Sequence, residues 1–169
     1  MSRLNQYSVE ARQILVYARE EAVQLRHKSV GPEHILFGIL RGNDPIVGSI
    51  FSTLHVDVQR LRQALEFVVG RGNKALLNGP TLSSTARTAL THAEREASEM
   101  GSELICVEHL LLGLLNDKEG ITVGVLESFG LSLNAVRLQV RKLLSKGRDY
   151  ATFAAEYQVR YNQTPTLNE

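Results

Sequence analysis

The stretch Gly-Pro-Glu-His-Ile-Leu-Phe-Gly-Ile-Leu at residues 31–40 returns as Cys-Val-Glu-His-Leu-Leu-Leu-Gly-Leu-Leu at residues 106–115. The correspondence extends outward without a gap, because residues 8–69 moved forward by 75 positions fall on residues 83–144. Identical pairs include Ser8 and Ser83, Arg12 and Arg87, Glu21 and Glu96, and Arg62 and Arg137. A repeat of this length predicts two similar subdomains packed together rather than an extended solenoid.

The size and composition of the chain fit this prediction. The 169 residues suffice for one compact domain or two small fused ones, and 43% of them are hydrophobic, which is ample for a core. Each repeat alone would be marginally stable, because small domains bury too little of their surface. We therefore expect the two repeats to share an interface.

Charge, cysteine content and the distribution of apolar residues limit the partners and the compartment that we expect for this protein. The formal net charge is +1, so bulk attraction to nucleic acid or to an anionic membrane is not expected. The single cysteine, Cys106, cannot form an internal disulfide, which fits a reducing compartment. The N-terminus has no apolar signal core, and no apolar run has the length of a membrane span. We expect a soluble protein of the cytoplasm or of an equivalent organelle stroma.

Start and stop signals divide the first repeat into four predicted helices. Ser8 is placed as the N-cap of the first helix, Pro32 at the start of the second, Asp44 before the third and Asp57 before the fourth, which stops at Gly70. Apolar residues at helical spacing follow each start signal. No stretch alternates with the period of a strand, so the sequence predicts an all-α protein without a sheet.

The second repeat predicts the same four helices. They run from Ser83 or Ser84 to about Met100, from Cys106 to Leu115, from Ile121 to Phe129 and from Ser132 to about Leu144. Residues 71–82 form the predicted connector, and residues 149–169 lie outside the repeat as a polar linker or tail. We expect truncation at Gly147 to leave the melting temperature nearly unchanged, although the spacing of Phe153, Ala154 and Tyr157 would also suit a helix.

Glu33 and Glu108, each followed by a histidine, form the main candidate site. A carboxylate at a helix N-terminus stabilises the helix dipole, which is a sufficient structural reason for both. The functional alternative adds Ser8 and Ser83 at the starts of the repeats. A helix N-terminus offers N–H groups to an anion, and a carboxylate can bind a guanidinium through two hydrogen bonds. Such a pocket would suit a ligand that carries both groups.

No catalytic or metal-binding constellation is predicted. Cys106 and His109 form the one Cys/His pair at helical spacing, and a zinc site needs three or four ligands. We therefore expect His34 and His109 to be buried, hydrogen-bonded histidines and Cys106 to be a core or cap residue. With no acid pair, catalytic triad or phosphate loop, the chain is not expected to be an enzyme or to need a cofactor.

The two quoted stretches resemble the doubled Gly-Thr-Glu-His-Ile-Leu-Leu-Gly-Leu signature of the Clp N-terminal domain, and among Clp proteins most of all that of ClpC-type ATPases. The resemblance covers about residues 4–145. It implies eight helices, arranged as two four-helix repeats of about residues 4–70 and 79–145 related by a pseudo-twofold axis. The resemblance places the domain at residues 1–148. It also implies that residues 149–169 are a linker or tail that leads toward an AAA+ module.

The resemblance also implies a role in regulated protein degradation. Such a domain docks adaptor proteins and protein substrates for a hexameric AAA+ unfoldase and its partner peptidase. In some ClpC proteins it binds phosphoarginine at two equivalent sites, which would pair Glu33 with Ser8 and Glu108 with Ser83. Here Pro32 and Val107 replace the threonines of the signature, which removes two hydroxyls.

Further departures bear on phosphate binding. Some relatives have an arginine two residues before the hydroxyl, where this chain has Gln6 and Thr81. Fewer donors predict weak phosphoarginine binding, and the retained N–H of Val107 predicts that the second site is the stronger one. The docking role depends less on these positions than phosphoarginine binding does.

Two alternatives stay open from the sequence. The chain could be a free-standing accessory subunit of a Clp protease assembly, which a stop codon after Glu169 would support and downstream nucleotide-binding motifs would oppose. It could instead be a small helical enzyme that uses Glu33 or Glu108, although no second catalytic group accompanies either.

Overall fold

A computed structural model describes residues 4–73 and 78–145. A short 3₁₀ turn at Leu4–Gln6 precedes the first repeat, which contains α1 (Val9–Gln24), β1 (Ser29–Val30), α2 (Pro32–Gly42), α3 (Pro45–Thr53) and α4 (Val58–Val69). The second repeat contains β2 (Thr81–Leu82), α5 (Ser84–Glu99), α6 (Val107–Leu115), α7 (Ile121–Ser128) and α8 (Leu133–Leu144). The eight helices in these described ranges confirm the all-α prediction.

The predicted helix caps are present. The Oγ atoms of Ser8 and Ser83 each accept a hydrogen bond from a backbone N–H three residues ahead, at 3.0 Å. Asp44 accepts from two backbone N–H groups at the start of α3, and Asp57 accepts from one at the start of α4. Gly70 ends α4 with a φ of 68°, a conformation that glycine adopts without a steric penalty. These local signals fix the helix boundaries.

The centre of the domain is formed by α2 and α6, the helices that carry the repeated stretch. Every residue of α6 is buried. Helix α2 lies against α1, and α6 lies against α5, at very short range. A Cβ at Gly38 would lie 2.6 Å from the carbonyl oxygen of Ile14, and one at Gly113 would lie 2.4 Å from that of Ala89. The glycine of each repeated stretch therefore permits close packing of two helix backbones.

A pair of short parallel contacts joins the repeats crosswise. In the first, β1 pairs with β2, with Ser29 opposite Thr81 and Val30 opposite Leu82. In the second, Tyr7 bridges to Ile105. Moving Tyr7 forward by 75 positions gives Leu82, and moving Val30 forward gives Ile105, so the two contacts are equivalent under the repeat. The prediction of no sheet was wrong to this extent, because two-residue strands are too short to show alternation.

An arginine–carboxylate pair also recurs in each half. Arg137 on α8 binds Glu96 on α5 through two hydrogen bonds, at 3.0 and 2.5 Å. In the first half, Arg62 on α4 lies 3.3 Å from Glu21 on α1. Each pair fastens the last helix of a repeat to the first.

Some predictions fall outside the described residues, including those for the tail at 149–169 and for part of the connector, residues 74–77. Within residues 4–73 and 78–145, no single helix has the length and apolar character of a membrane span, whereas the bent pair of α7 and α8 meets both conditions only when taken together.

Candidate functional site

Glu33 is an accessible carboxylate in the first turn of α2. Its side chain is 32% exposed and folds back over Gly31. A Cβ at Gly31 would lie 2.5 Å from Glu33 Oε1, so the absence of a side chain at Gly31 leaves the space that the carboxylate occupies. The glycine before the repeated Glu-His therefore helps to set the conformation of the carboxylate.

The Glu33 carboxylate lines a cleft of about 350 Å³. We call it the Glu33 cleft, and it is lined by His27, Ser29, Glu33, His34, Val68, Val69 and Ile121. Ile121 comes from the second repeat, so both halves build the cleft. One acidic group beside three aliphatic side chains suits a cationic or amphipathic group of a protein ligand.

Two histidines lie at one side of this cleft. Gly31 donates its N–H to Nδ1 of His34 at 2.9 Å, so neutral His34 carries its proton on Nε2. That nitrogen lies 2.7 Å from Nδ1 of His27 and donates to it. Burial, and next the charge of His27, lower the pKa of His34 to about 4. His34 is thus a buried, neutral capping residue, which confirms the structural interpretation of the sequence.

His109 has the same capping role in the second repeat. Its Nδ1 accepts a hydrogen bond from the N–H of Cys106 at 2.9 Å, and its side chain is buried. The repeat equivalent of His27 is Ser102, so the histidine pair belongs to the first half only. The two halves share the cap but differ in the surface beside it.

The structure pairs the serines with the glutamates crosswise. The N–H of Ser8 donates to the carbonyl of Ile105 at 3.0 Å, which places Ser8 beside the start of α6 and Glu108. The N–H of Ser83 donates to the carbonyl of Val30 at 3.0 Å, which places Ser83 beside the start of α2 and Glu33. The sequence had led us to expect Glu33 with Ser8 and Glu108 with Ser83, whereas the parallel contacts, which join each repeat to the other, bring each serine to the helix start of the opposite repeat.

The two sites also differ in access. Glu108 is fully buried, whereas Glu33 is not. This burial argues against the expectation that the second site is the stronger. Cys106 has a side chain where Gly31 has none, so the Glu108 carboxylate cannot use the space that Glu33 fills.

Asp44 brings another buried carboxylate close to Glu108. Burial raises the pKa of Asp44 to about 6, against the opposing effect of hydrogen bonds from Val47 and Ile46. The charges of Glu108 and of Glu10 raise it further. The sequence identified Asp44 as a helix cap but gave no sign that the other repeat places a carboxylate beside it.

Cys106, Glu108 and His109 are the one group of three potential metal ligands among the described residues, with ligand atoms within 4.8 Å of one another. The sequence had suggested the Cys–His pair but not Glu108 as a third member. Nδ1 of His109 accepts a hydrogen bond from Cys106 N–H, and Cys106 Sγ donates to the carbonyl of Leu104 at 3.6 Å. These contacts explain the cysteine and the histidine as parts of the α6 cap, and we assign no metal to them.

Two bacterial proteins match nearly the whole chain. It is 32% identical over 167 residues to the chaperone protein ClpB of Oceanobacillus iheyensis, covering 96% of this chain and 20% of that protein. It is 32% identical over 164 residues to the negative regulator of genetic competence ClpC/MecB of Bacillus subtilis, covering 96% and 20%. The chain therefore spans about one fifth of the length of these relatives.

Solved structures match the fold. A structure from a study of a malarial protein secretion system superposes with a TM-score of 0.72 at 24% identity, covering 82% of this chain and 95% of that one. The N-domain of ClpV from Vibrio cholerae gives 0.71 at 18%, covering 85% and 87%. A complex of a ClpV N-domain with a VipB peptide gives 0.68 at 17%, covering 85% and 89%.

The family model for the Clp repeat (R) N-terminal domain matches residues 6–112 and again residues 81–164. These two matches agree with the doubled Glu-His stretch, with the paired helix caps and with the glycine contact that recurs in each half. The chain belongs to the Clp repeat (R) N-terminal domain family.

Proposed function

We propose that this chain is the substrate- and adaptor-docking N-terminal domain of a ClpC-like, ATP-dependent unfoldase that acts in regulated protein degradation. The observation that carries the proposal is the doubled family match, which extends over both repeats. Similarity to ClpC/MecB over 96% of the chain supports a ClpC-like parent protein. A related fold that holds a peptide supports docking as the activity of the domain.

The proposal assigns docking to residues 1–148 and a linker role to residues 149–169. ATP hydrolysis would then belong to a hexameric AAA+ ring that this chain serves, and proteolysis to a peptidase bound to that ring. The cytoplasm, or the stroma of an organelle, is the proposed location, since relatives include a bacterial ClpC and a chloroplastic ClpC of Pisum sativum.

Within the domain, Glu33 is the proposed contact for a cationic group of the ligand. It is accessible, and Ser83 lies beside the same helix start. Pro32 has no N–H, so the start of α2 lacks one backbone donor that a phosphate could use, whereas the Glu33 carboxylate can accept two hydrogen bonds from a guanidinium. Arginine-containing segments of adaptors or substrates therefore fit the Glu33 cleft better than phosphorylated ones do.

Capture from a lysate of the source cell tests this function. The full chain is used as bait beside its Glu33→Gln variant and a matched Glu127→Gln variant, which changes an exposed carboxylate on α7. We expect adaptor and substrate proteins to be captured by the wild type and by Glu127→Gln, and to be depleted with Glu33→Gln. The same proteins captured equally by all three would contradict the role of Glu33, and capture no greater than that of empty resin would contradict docking itself.

A further inference from the structure

The outer face of α1 carries a row of exposed valines that do not pack in the core. Val9, Val16 and Val23 follow one another at intervals of seven residues, and each lies on the solvent side, with 68%, 49% and 54% of its surface exposed. Arg12 and Arg19 lie three residues after the first two valines. Residues seven and three apart line one side of a helix, so these five form a single stripe. We call it the α1 stripe.

The fold does not require this stripe, because the second repeat lacks it. Helix α5 has Ser84, Thr91 and Ser98 at the positions equivalent to the three valines, and Glu94 at the position equivalent to Arg19. Both helices nevertheless have 16 residues and begin at a serine cap. Three exposed valines on α1, with hydroxyl residues in their places on α5, indicate a requirement other than folding.

A groove of about 940 Å³ lies along the α1 stripe. The stripe residues Arg12, Val16, Arg19 and Val23 line it together with Leu15, Glu20, Glu21, Gln24 and Arg41. Arg41 at the end of α2 forms one wall, held by Glu20 at 2.8 Å. Arg19 donates to the carbonyl of Pro80 at 2.9 Å, which brings the segment between the repeats to the groove.

The charges of the groove favour an acidic ligand. Both acidic residues in it are already neutralised, since Arg41 contacts Glu20 and Glu21, and Arg62 also contacts Glu21. Within residues 4–73 and 78–145, neither Arg12 nor Arg19 forms an ion pair with a carboxylate. The stripe therefore presents valines separated by arginines whose charge is not compensated.

A second copy of the chain does not fit this surface. Two identical stripes packed face to face would bring the arginines of one against those of the other, and like charges oppose association. A partner helix with aliphatic residues and carboxylates would pack against the valines and pair with the arginines. The first and last valines are 14 positions apart, or about 21 Å of helix, which matches about four turns of a partner helix.

We propose that the α1 stripe docks an acidic amphipathic helix of a partner protein. Aliphatic residues of the partner, repeated every seven positions, pack between the valines, and flanking glutamates or aspartates pair with Arg12 and Arg19. This inference rests on the proposed docking function but places a second docking surface on a different part of the domain from the Glu33 cleft.

A designed peptide provides the test. The probe is a fluorescent helix of about 21 residues, with leucine at every seventh position and glutamates flanking each leucine. A second probe has lysine in place of every glutamate. Binding of both to the full chain is measured by fluorescence anisotropy, and the contact surface is mapped by amide chemical-shift changes. We expect the acidic probe alone to bind, with the shifts concentrated in residues 9–24.

The valine substitutions introduce the residues that α5 has at the equivalent positions, where a helix of the same fold already accommodates them. Val16→Thr/Val23→Ser installs the α5 residues on α1 and should weaken the acidic probe at least about tenfold, as should Arg12→Glu. Arg87→Glu changes the repeat equivalent of Arg12 and should leave the affinity unchanged. Melting curves of all variants establish that a lost interaction does not reflect unfolding.

Three results would overturn the inference: no binding of the acidic probe, equal binding of the lysine probe, or shifts outside α1 that Val16→Thr/Val23→Ser does not affect. Glu33→Gln separates this surface from the proposed function. If Glu33→Gln abolishes binding of the acidic probe, the probe binds at the Glu33 cleft and not at the α1 stripe, and the proposed docking function stands. Failure of the probe, with Glu33-dependent protein capture retained, would contradict the α1 stripe alone.

Discussion

Glu33 and Glu108 occupy equivalent positions in the two repeats but have different environments. Gly31 leaves room for the Glu33 carboxylate at the surface, whereas Cys106 fills the corresponding space and Glu108 is buried. A buried carboxylate is reached by a ligand only after local rearrangement, and that rearrangement has a free-energy cost. The repeat therefore supplies two copies of the glutamate, of which only the Glu33 carboxylate is accessible.

Phosphoarginine binding should depend on Glu33. A charge-assisted hydrogen bond contributes about 1.5–3 kcal/mol, so Glu33→Gln should weaken the affinity by about 10- to 100-fold. Glu108→Gln should change it little, and we expect one site per chain. Calorimetric titration with free phosphoarginine gives both the affinity and the stoichiometry. Two equal sites, or binding that both variants leave unchanged, would contradict this assignment.

Asp44 should make the domain less stable as the pH rises. Its pKa is raised to about 6 in the folded state, against about 3.9 in an unfolded chain, so the folded state binds the proton more tightly. This contribution is complete below the unfolded pKa, is lost as the pH rises through about 6, and amounts to roughly 2–3 kcal/mol.

Asp44→Asn removes the titrating group but keeps a side-chain oxygen for the α3 cap. We expect the variant to lose this part of the pH dependence in urea unfolding between pH 4 and pH 7.5, and to gain stability relative to the wild type at the upper end. Asp57→Asn, at the exposed cap of α4, is the matched control and should leave the slope unchanged. A slope that survives in Asp44→Asn would assign it to another group.

At the scale of the elements, the arginine–carboxylate pairs fasten α8 to α5 and α4 to α1. Burial alone would raise the pKa of Glu96, but the hydrogen bonds from Arg137 and Asn116 and the charge of Arg137 hold it below its ordinary value. Glu21 is more exposed and shares its carboxylate between Arg62 and Arg41. The equivalent pairs therefore contribute differently to the stability of the two halves.

Removing Arg137 should cost more stability than removing Arg62. Arg137→Met leaves Glu96 buried without its guanidinium, which we expect to cost about 2–4 kcal/mol of unfolding free energy. Arg62→Met leaves Glu21 with Arg41 and should cost less than about 1 kcal/mol. Urea denaturation of the two variants measures the difference, and equal losses would show that burial of Glu96 does not decide the effect.

At the scale of the whole molecule, the repeats are halves of one core rather than independent units. Each of the parallel contacts joins a segment of one repeat to the other, and α2 and α6 pack at the centre with residues of both. A single repeat would therefore expose apolar surface that the other covers in the intact domain, and small domains have little stability to spare.

Neither half should fold alone. Residues 1–73 and residues 78–169, produced as separate chains, should show weak helical circular dichroism and no cooperative thermal transition. Mixing them should restore both signals, because the crosswise contacts can re-form between two chains. A cooperative transition of the first half alone, near the melting temperature of the intact chain, would show that the repeats are independent domains.

The sequence by itself determined the elements of this protein. The caps at Ser8, Asp44, Asp57 and Ser83 and the stop at Gly70 each act within about four residues, so they can be read from neighbours in the chain. The repeated stretch is also a pattern of neighbouring residues, and it predicted the two central helices and the family. The predicted and observed helix ends differ by one residue at α6 and α7, where Cys106 and Phe129 are capping residues just outside the helices.

Only the tertiary structure decided which of these residues meet. Ser83 lies beside the start of α2 and Ser8 beside the start of α6 because the repeats pair crosswise, over separations that no local pattern records. The burial of Glu108 and the proximity of Asp44 to it arise in the same way. Helix signals are local free energies, whereas access to a site depends on which surfaces the other repeat covers, and that is set when the two halves pack.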